Sequence, residues 1–360
     1  MSVEEILLEY GELIEKETLK FLKDNIVEAE KYHPFIKETF ELLKDYIFRP
    51  GKRLASISTL LIYKGYKGEI DDEILKVCAG IEIYRHSILI HDDVVDLDDM
   101  RRGEPSIHKL FENLIEKRYG RDSEASRGFP SFGESMAVFT GNILFSLAFK
   151  AINKAGFDRD LTMRVIGALN KDFQFVNESQ ILDLLFEFSP PNKKEWEIMA
   201  SKRASQLFKT TLTIGAILAE VPDEELKMVE ECGSHIGFAF DIIDDIIGAF
   251  TTKEVYGRPA TGDIILGKKP LHVTIALEKA PTNKKQRLLE ILKNKTKTEE
   301  EILEAKDIMR EYGLTEAKHA ARNHATEAIK ILEKLKIDQK TRQEFKQFVN
   351  YVAENLDWYT

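Results

Sequence analysis

The chain has 360 residues, 43% of them hydrophobic and 32% charged, with a formal net charge of −10. That apolar content supports a large core and excludes an intrinsically disordered chain. The acidic balance excludes a general nucleic-acid binder, which needs a basic face.

Helical periodicity starts at once. A first helix is predicted from Val3 to about Glu30; its acidic start, MSVEEILLEY, is neither a signal nor a transit peptide. A second runs from Pro34 to about Phe48. Arg49-Pro50-Gly51-Lys52-Arg53 is a turn opening a third, which ends near Gly65 and Gly68. Asp71, Asp72 and Glu73 place acids at the start of a fourth, where the helix dipole favours them. That helix, Ile74 to about Asp96, is apolar on most faces and so is expected to be buried. Residues 119–133 form the clearest loop. Helix resumes from Ala137 to Ala155 and from about Leu161 to Phe188, where Ser189-Pro190-Pro191-Asn192 stops it. Further helices are predicted at about 193–220, 223–250 and 270–295, and the periodicity continues to the C-terminus. Gly numbers 20 and Pro 10, a sparse set of breakers. No strand alternation, repeat or linker stands out, so the expectation is one all-α domain over residues 1–360.

Cys78 and Cys232 are the only cysteines and lie outside any metal-knuckle pattern, so a reducing compartment fits. No uninterrupted apolar run reaches the roughly 18 residues of a membrane span. The nearest, Ile236 to Phe250, is broken by Asp241, Asp244 and Asp245. No transmembrane segment and a cytoplasmic location are expected.

The chemistry concentrates in two acid clusters. His91-Asp92-Asp93-Val94-Val95-Asp96-Leu97-Asp98-Asp99 follows the apolar segment SILI. Asp92 and Asp96, four apart, share a helix face, with Asp93 beside them. Such a cluster is either a solvated helix end or a Mg²⁺ site, because hard cations take carboxylate oxygens. The second cluster sits inside IGFAFDIIDDIIGAF. Its spacings of three and four put Asp241, Asp244 and Asp245 on one stripe. Aspartates amid Ile and Phe must be paired or metal-bound. Two such clusters facing each other across a pocket would hold several Mg²⁺ ions against a diphosphate. Cations flank them: Gly51-Lys52-Arg53 at a helix start, where backbone N–H groups also bind anions, Arg101-Arg102 after the first cluster, and Gly267-Lys268-Lys269 after the second.

With these motifs the sequence resembles the trans-isoprenyl (polyprenyl) diphosphate synthases, from PGKR at 50–53 to YGLTEAKHAA at 312–321. The carrying motifs are Asp92-Asp93-Val-Val-Asp96 with RRGEPSIH, then GFAFDIIDDIIG and GRPATGDIILGKKP. The resemblance implies helices around a deep central cavity and a homodimer. It implies three Mg²⁺ ions, with Asp92 and Asp96 ligating two, Asp244 a third, and Asp93 and Asp245 in support. Arg101 and Lys268 would hold an allylic diphosphate; Lys52, Arg53 and Arg102 would hold isopentenyl diphosphate. Gln180 and Asp183 resemble a Q-x-x-D that lines the cavity. Several positions depart from the family pattern. Arg85, with His86 next to it, replaces a histidine seven residues before the first aspartate. Arg203-Ala204, preceded by Lys202, stands for Lys-Thr; Phe240-Asp241 stands for Phe-Gln. By position Arg85, Lys202, Arg203, Gln180 and Asp241 are expected to bind substrate, with Asp241 either a further metal ligand or a carboxyl raised by its neighbours. Gly248 replaces a third aspartate, and Gly141-Asn142-Ile143-Leu144 stands for G-D-x-L. The loop about 115–133 is longer than the family needs, which reads as a surface insertion or as a lid.

The implied reaction is head-to-tail condensation of isopentenyl diphosphate with an allylic diphosphate. In this family, bulk before the first aspartates limits chain length. Ser87, five before Asp92, is small, and Tyr84 one turn deeper would form the floor or be ordinary core packing. That predicts a C20 product first, then C25. Two alternatives stay open. A class I terpene cyclase would use D-D-x-x-D but needs no isopentenyl site such as Gly51-Lys52-Arg53 with Arg102. A non-catalytic subunit of a heteromeric synthase is suggested by Arg203-Ala204 and Asp241, and opposed by the intact first cluster.

Overall fold

The computed structural model describes residues 2–120, 128, 130–250, 262–294 and 296–354. Most of the 119–133 loop and the GRPAT stretch at 257–261 therefore lie outside the described residues. The chain packs as two compact units, one built mainly from residues 4–60 and 70–162, the other from 61–69 and 163 onward.

The first unit holds Val3–Glu30 (α1), Pro34–Ile47 (α2), the start of Leu54–Lys67 (α3), Asp72–Val95 (α4), Ile107–Tyr119 (α5) and Phe132–Asn153 (α6). Helix α1 buries Ile6, Tyr10 and Ile14, a stripe at four-residue spacing. Helix α4 starts where its capping chemistry requires: the Asp71 side chain accepts from the Ile74 N–H at 2.8 Å. It buries nearly every face through Asp93. Helix α6 begins with a capping box between Ser131 and Glu134. It packs along α4 through two glycines. A Cβ on Gly80 would press on Ile152 and the Ala148 carbonyl, and one on Gly141 would collide with the His91 ring. The small residue at 141 thus lets α6 close against the residue next to Asp92.

Helix α6 is long and apolar enough to cross a membrane by length and composition, although 44% of its most apolar window is buried inside the protein. It is no unbroken apolar run, because Thr140, Gly141, Asn142 and Ser146 interrupt it without charge. A second departure from the expected all-helical pattern is small. Met100–Arg101 (β1) pairs antiparallel with Glu104–Pro105 (β2), a hairpin too short for alternation to register.

The second unit continues with Arg159–Phe188 (α7), Lys193–Lys202 (α8), Ala204–Leu218 (α9) and Asp223–Phe250 (α10). Then come Gly262–Leu266 (α11), Leu271–Lys279 (α12), Thr282–Lys293 (α13), Glu299–Met309 (α14), Thr315–Leu332 (α15) and Gln339–Glu354 (α16). A π-helical turn, Arg310–Leu314, joins α14 to α15. Every residue of α9 is buried except Lys209. It crosses α10 at Gly233 and Gly237; a Cβ on Gly237 would collide with the Ala204 carbonyl and Ser205 Cα. Main chain therefore meets main chain at the start of α9. Arg203, just before it, is set beside α10 one turn short of the second acid cluster.

Candidate active site

In the first unit the acids crown the C-terminal end of α4. Asp92 and Asp96 are half-buried, whereas Asp93 is buried. Consecutive residues on a helix diverge by about 100°, so Asp93 points into the protein. It accepts from the Tyr46 hydroxyl at 2.9 Å and from Arg101 Nε at 2.6 Å. Burial pushes its carboxyl up, against the opposing pull of Arg101. Arg101 Nη2 also reaches Asp92 at 3.3 Å and Asp98 at 3.6 Å. The arginine expected at the allylic diphosphate thus holds three aspartates, and Asp93 anchors it.

Arg102 lies over the Pro50-Gly51 turn, where a Cβ on Gly51 would strike its guanidinium. Its Nη1 donates to the Arg49 carbonyl at 3.2 Å and sits 3.4 Å from His86 Nε2. Burial lowers the Arg102 pKa to about 10. Arg53 takes the left-handed region at φ 52°. Its side chain is buried, with Nε donating to Glu15 at 3.0 Å and Nη1 lying 3.5 Å from Glu82. Arg53 is therefore placed beneath the turn as a buried ion-pair partner. Lys52 and Arg85 are half-buried. His86 rather than Arg85 is the residue that meets Arg102.

Sequence reasoning also missed Arg49. It donates to the Arg101 carbonyl at 3.1 Å and to the Pro105 carbonyl at 2.8 Å, and its guanidinium lies 4.8 Å from the Tyr46 ring centre. It fixes the hairpin that carries both site arginines. An arginine beside a proline-glycine turn was the only signal, and it did not name these partners. Below the acids, Ser87 and Tyr84 are fully buried. The Tyr84 ring lies 6.1 Å from Phe145, and Phe145 lies 4.8 Å from Phe149.

In the second unit Arg203 forks onto α10. Its Nε lies 2.8 Å from Asp241 Oδ1, and its Nη2 donates at 2.9 Å to both Asp241 Oδ2 and Asp245 Oδ2. Burial pushes both carboxyls up and Arg203 opposes that rise. Burial works against the Arg203 charge, but Asp241, Asp245 and Asp183 hold it firmly protonated. Asp244, on the same stripe, is half-buried. Lys268 Nζ lies 3.3 Å from Asp183, both side chains buried. Burial lowers Lys269 to about 8; its ammonium donates to the Glu187 carbonyl at 3.2 Å. Lys202 turns elsewhere, to Glu178 at 2.5 Å and over the Phe175 ring at 3.9 Å. Gln180 is half-buried on α7, one turn before Asp183.

Among the described residues, no three acidic, histidine or cysteine side chains converge as a complete metal cage.

The polyprenyl synthetase family model matches residues 37–309. A short chain isoprenyl diphosphate synthase of Methanocaldococcus jannaschii is 33% identical over 74% of this chain and 75% of its own. A geranylgeranyl diphosphate synthase of Saccharolobus solfataricus is 28% identical over 89% of this chain and 91% of its own. The crystal structure of a geranylgeranyl pyrophosphate synthetase from Pyrococcus horikoshii is 25% identical and superposes with a TM-score of 0.80, covering 98% of this chain and 99% of that one. A Corynebacterium glutamicum geranylgeranyl pyrophosphate synthase, crystallised with isoprenyl diphosphate and magnesium, shares the fold at a TM-score of 0.87 and 19% identity, covering 98% of this chain and 99% of that one. With its helical fold, its two acid clusters and this match over most of its length, the chain belongs to the polyprenyl synthetase family of prenyltransferases.

Proposed function

We propose that this prenyltransferase condenses isopentenyl diphosphate with an allylic diphosphate to give a trans-polyprenyl diphosphate, geranylgeranyl diphosphate (C20) or somewhat longer. The observation that carries the reading is the divergence of Asp92 and Asp96 from Asp93. Two carboxylates remain on the half-buried face while the third locks Arg101 in place. Bound magnesium would neutralise the leaving diphosphate. Asp92 and Asp96 would hold two ions and Asp244 a third.

Arg101 and Lys268 orient the allylic diphosphate, each already aimed by an aspartate. The C–O bond ionises to an allylic cation. The isopentenyl double bond attacks it, and a proton leaves to the departing diphosphate. Lys52 and Arg102 hold isopentenyl diphosphate, with His86 beside Arg102 and Arg53 bracing the turn from below. The apolar faces of the helices exclude water, which would trap the cation. Ser87, being small, would leave room below the acids and Tyr84 would close the floor; both side chains are buried on α4. The chain is further proposed to work as one catalytic domain, as a cytoplasmic homodimer.

The test is incubation of the purified protein with Mg²⁺, isopentenyl diphosphate and farnesyl diphosphate, with products read by mass. A C20 diphosphate that vanishes in Asp92→Ala is the expected result. No product from any allylic starter would reject the reading and favour a non-catalytic subunit.

A further inference from the structure

Two departures from the family pattern, Arg203-Ala204 and Asp241, are 38 residues apart in sequence, yet Arg203 and Asp241 meet in one partly buried ion pair. Arg203 Nη2 donates to Asp241 Oδ2 at 2.9 Å, and Nε lies 2.8 Å from Oδ1 in ion-pair contact without hydrogen-bond alignment. The Arg203 side chain is 22% exposed, that of Asp241 7% and that of Asp245 13%. A lysine would bring a compact point charge in place of the planar guanidinium, without the second nitrogen that lies against Asp241 Oδ1. A glutamine at 241 would leave the guanidinium without its counter-charge. Each departure therefore explains the other. The second Nη2 contact then extends the pairing one turn along α10 to Asp245, which flanks Asp244.

We propose that Arg203 is a positioning residue and Asp241 its anchor. The pair fixes the acid end of α10, and neither side chain is itself a diphosphate or metal ligand. The inference rests on the prenyltransferase reading for its consequence, since what the pair positions is Asp244. It also removes the two departures as signs of a non-catalytic subunit, because a coupled pair preserves the cluster that single changes would spoil.

A four-protein cycle tests this, with wild type, Arg203→Gln, Asp241→Asn and the double variant. Three readouts are compared: melting temperature in EDTA, calorimetric affinity for magnesium pyrophosphate, and kcat and KM for farnesyl diphosphate. Arg203→Gln leaves the buried Asp241 carboxylate and the half-buried Asp245 carboxylate without their shared counter-charge. It is expected to lower the melting temperature in EDTA and to cut kcat about 100-fold, with KM changed less than about threefold. Adding Asp241→Asn is expected to recover at least about tenfold in kcat and part of the melting temperature, so the two effects do not multiply. Arg203→Lys, which keeps the charge without the planar guanidinium, is expected to fall between. Independent effects in the double variant, or an Arg203→Gln loss lying mainly in KM, would overturn the inference. So would an Asp241→Asn loss confined to magnesium pyrophosphate affinity, with no coupling to Arg203. Wild type that binds magnesium pyrophosphate but elongates nothing would refute the proposed function, and the melting and calorimetric cycle would still decide the role of Arg203.

Discussion

Tyr84→Ala tests whether α4 works as a ruler. The helix rises about 1.5 Å per residue, so Ser87 lies about 7.5 Å below Asp92 and Tyr84 about 12 Å below it. The difference is about one helical turn, close to one extended isoprene unit. Removing the Tyr84 ring opens space only as far as the next ring, Phe145, whose centre lies 6.1 Å away and is itself backed by Phe149. The product is therefore expected to grow by about one C5 unit, from C20 to C25, and no further. Double replacement of Tyr84 and Phe145 would be needed to pass that stop. The variant also vacates a fully buried site, at a cost of roughly 3–5 kcal/mol. Tyr84→Leu removes the ring with a smaller void and serves as the milder version. The assay is mass analysis of products from farnesyl diphosphate and excess isopentenyl diphosphate, with melting measured alongside. An unchanged product distribution in a folded Tyr84→Ala or Tyr84→Leu protein would refute the ruler and return Tyr84 to ordinary core packing.

Two further outcomes follow from the packing. Gly237→Ala drives a methyl group into the Ala204 main chain. It is expected to destabilise by about 1–3 kcal/mol or more, lowering the melting temperature, and to cut kcat by displacing Arg203 from Asp241. A protein with unchanged melting would show that the crossing is looser than described. Among the described residues, buried His272 finds no hydrogen-bond partner for either ring nitrogen, and burial lowers its pKa to about 4. Its folded pKa lies below the ordinary unfolded value of about 6.5. The unfolded chain therefore binds the extra proton first, and stability falls as pH drops from about 6.5 towards 4. His272→Phe is expected to flatten that acid limb in melting scans between pH 7 and pH 5; an identical slope would refute it.

The helices were legible because their apolar periodicity and their starts, Asp71 above all, are local. The acid clusters were legible because spacings of three and four set a shared face. The same geometry places Asp93 about 100° from Asp92, but not which partner meets it there. Tyr46 and Arg101 became its partners only through packing. Arg203 and Asp241 could be named as departures from a pattern, yet their pairing spans two helices and depends on the glycine crossing at 237. Arg49 and His86 act through a hairpin of two-residue strands, too short to leave a periodic trace. Arg53 was legible as a cation, but its burial under the turn rests on Glu15 and Glu82, which adjacency in sequence does not connect.

The opposed orientations of Asp92 and Asp93 bear on how this kind of motif is dissected. Neighbouring letters of one signature are set differently: Asp92 stays on the half-buried face, where binding is proposed, and touches Arg101 from there, while Asp93 is a fixture inside the wall, bonded to Tyr46 and Arg101. An alanine scan scored by turnover alone would rank the two together. Loss of turnover at Asp93 speaks to how the arginine is mounted, and loss at Asp92 to what the surface holds. Pairing each turnover value with a melting curve separates the fixture from the face it supports.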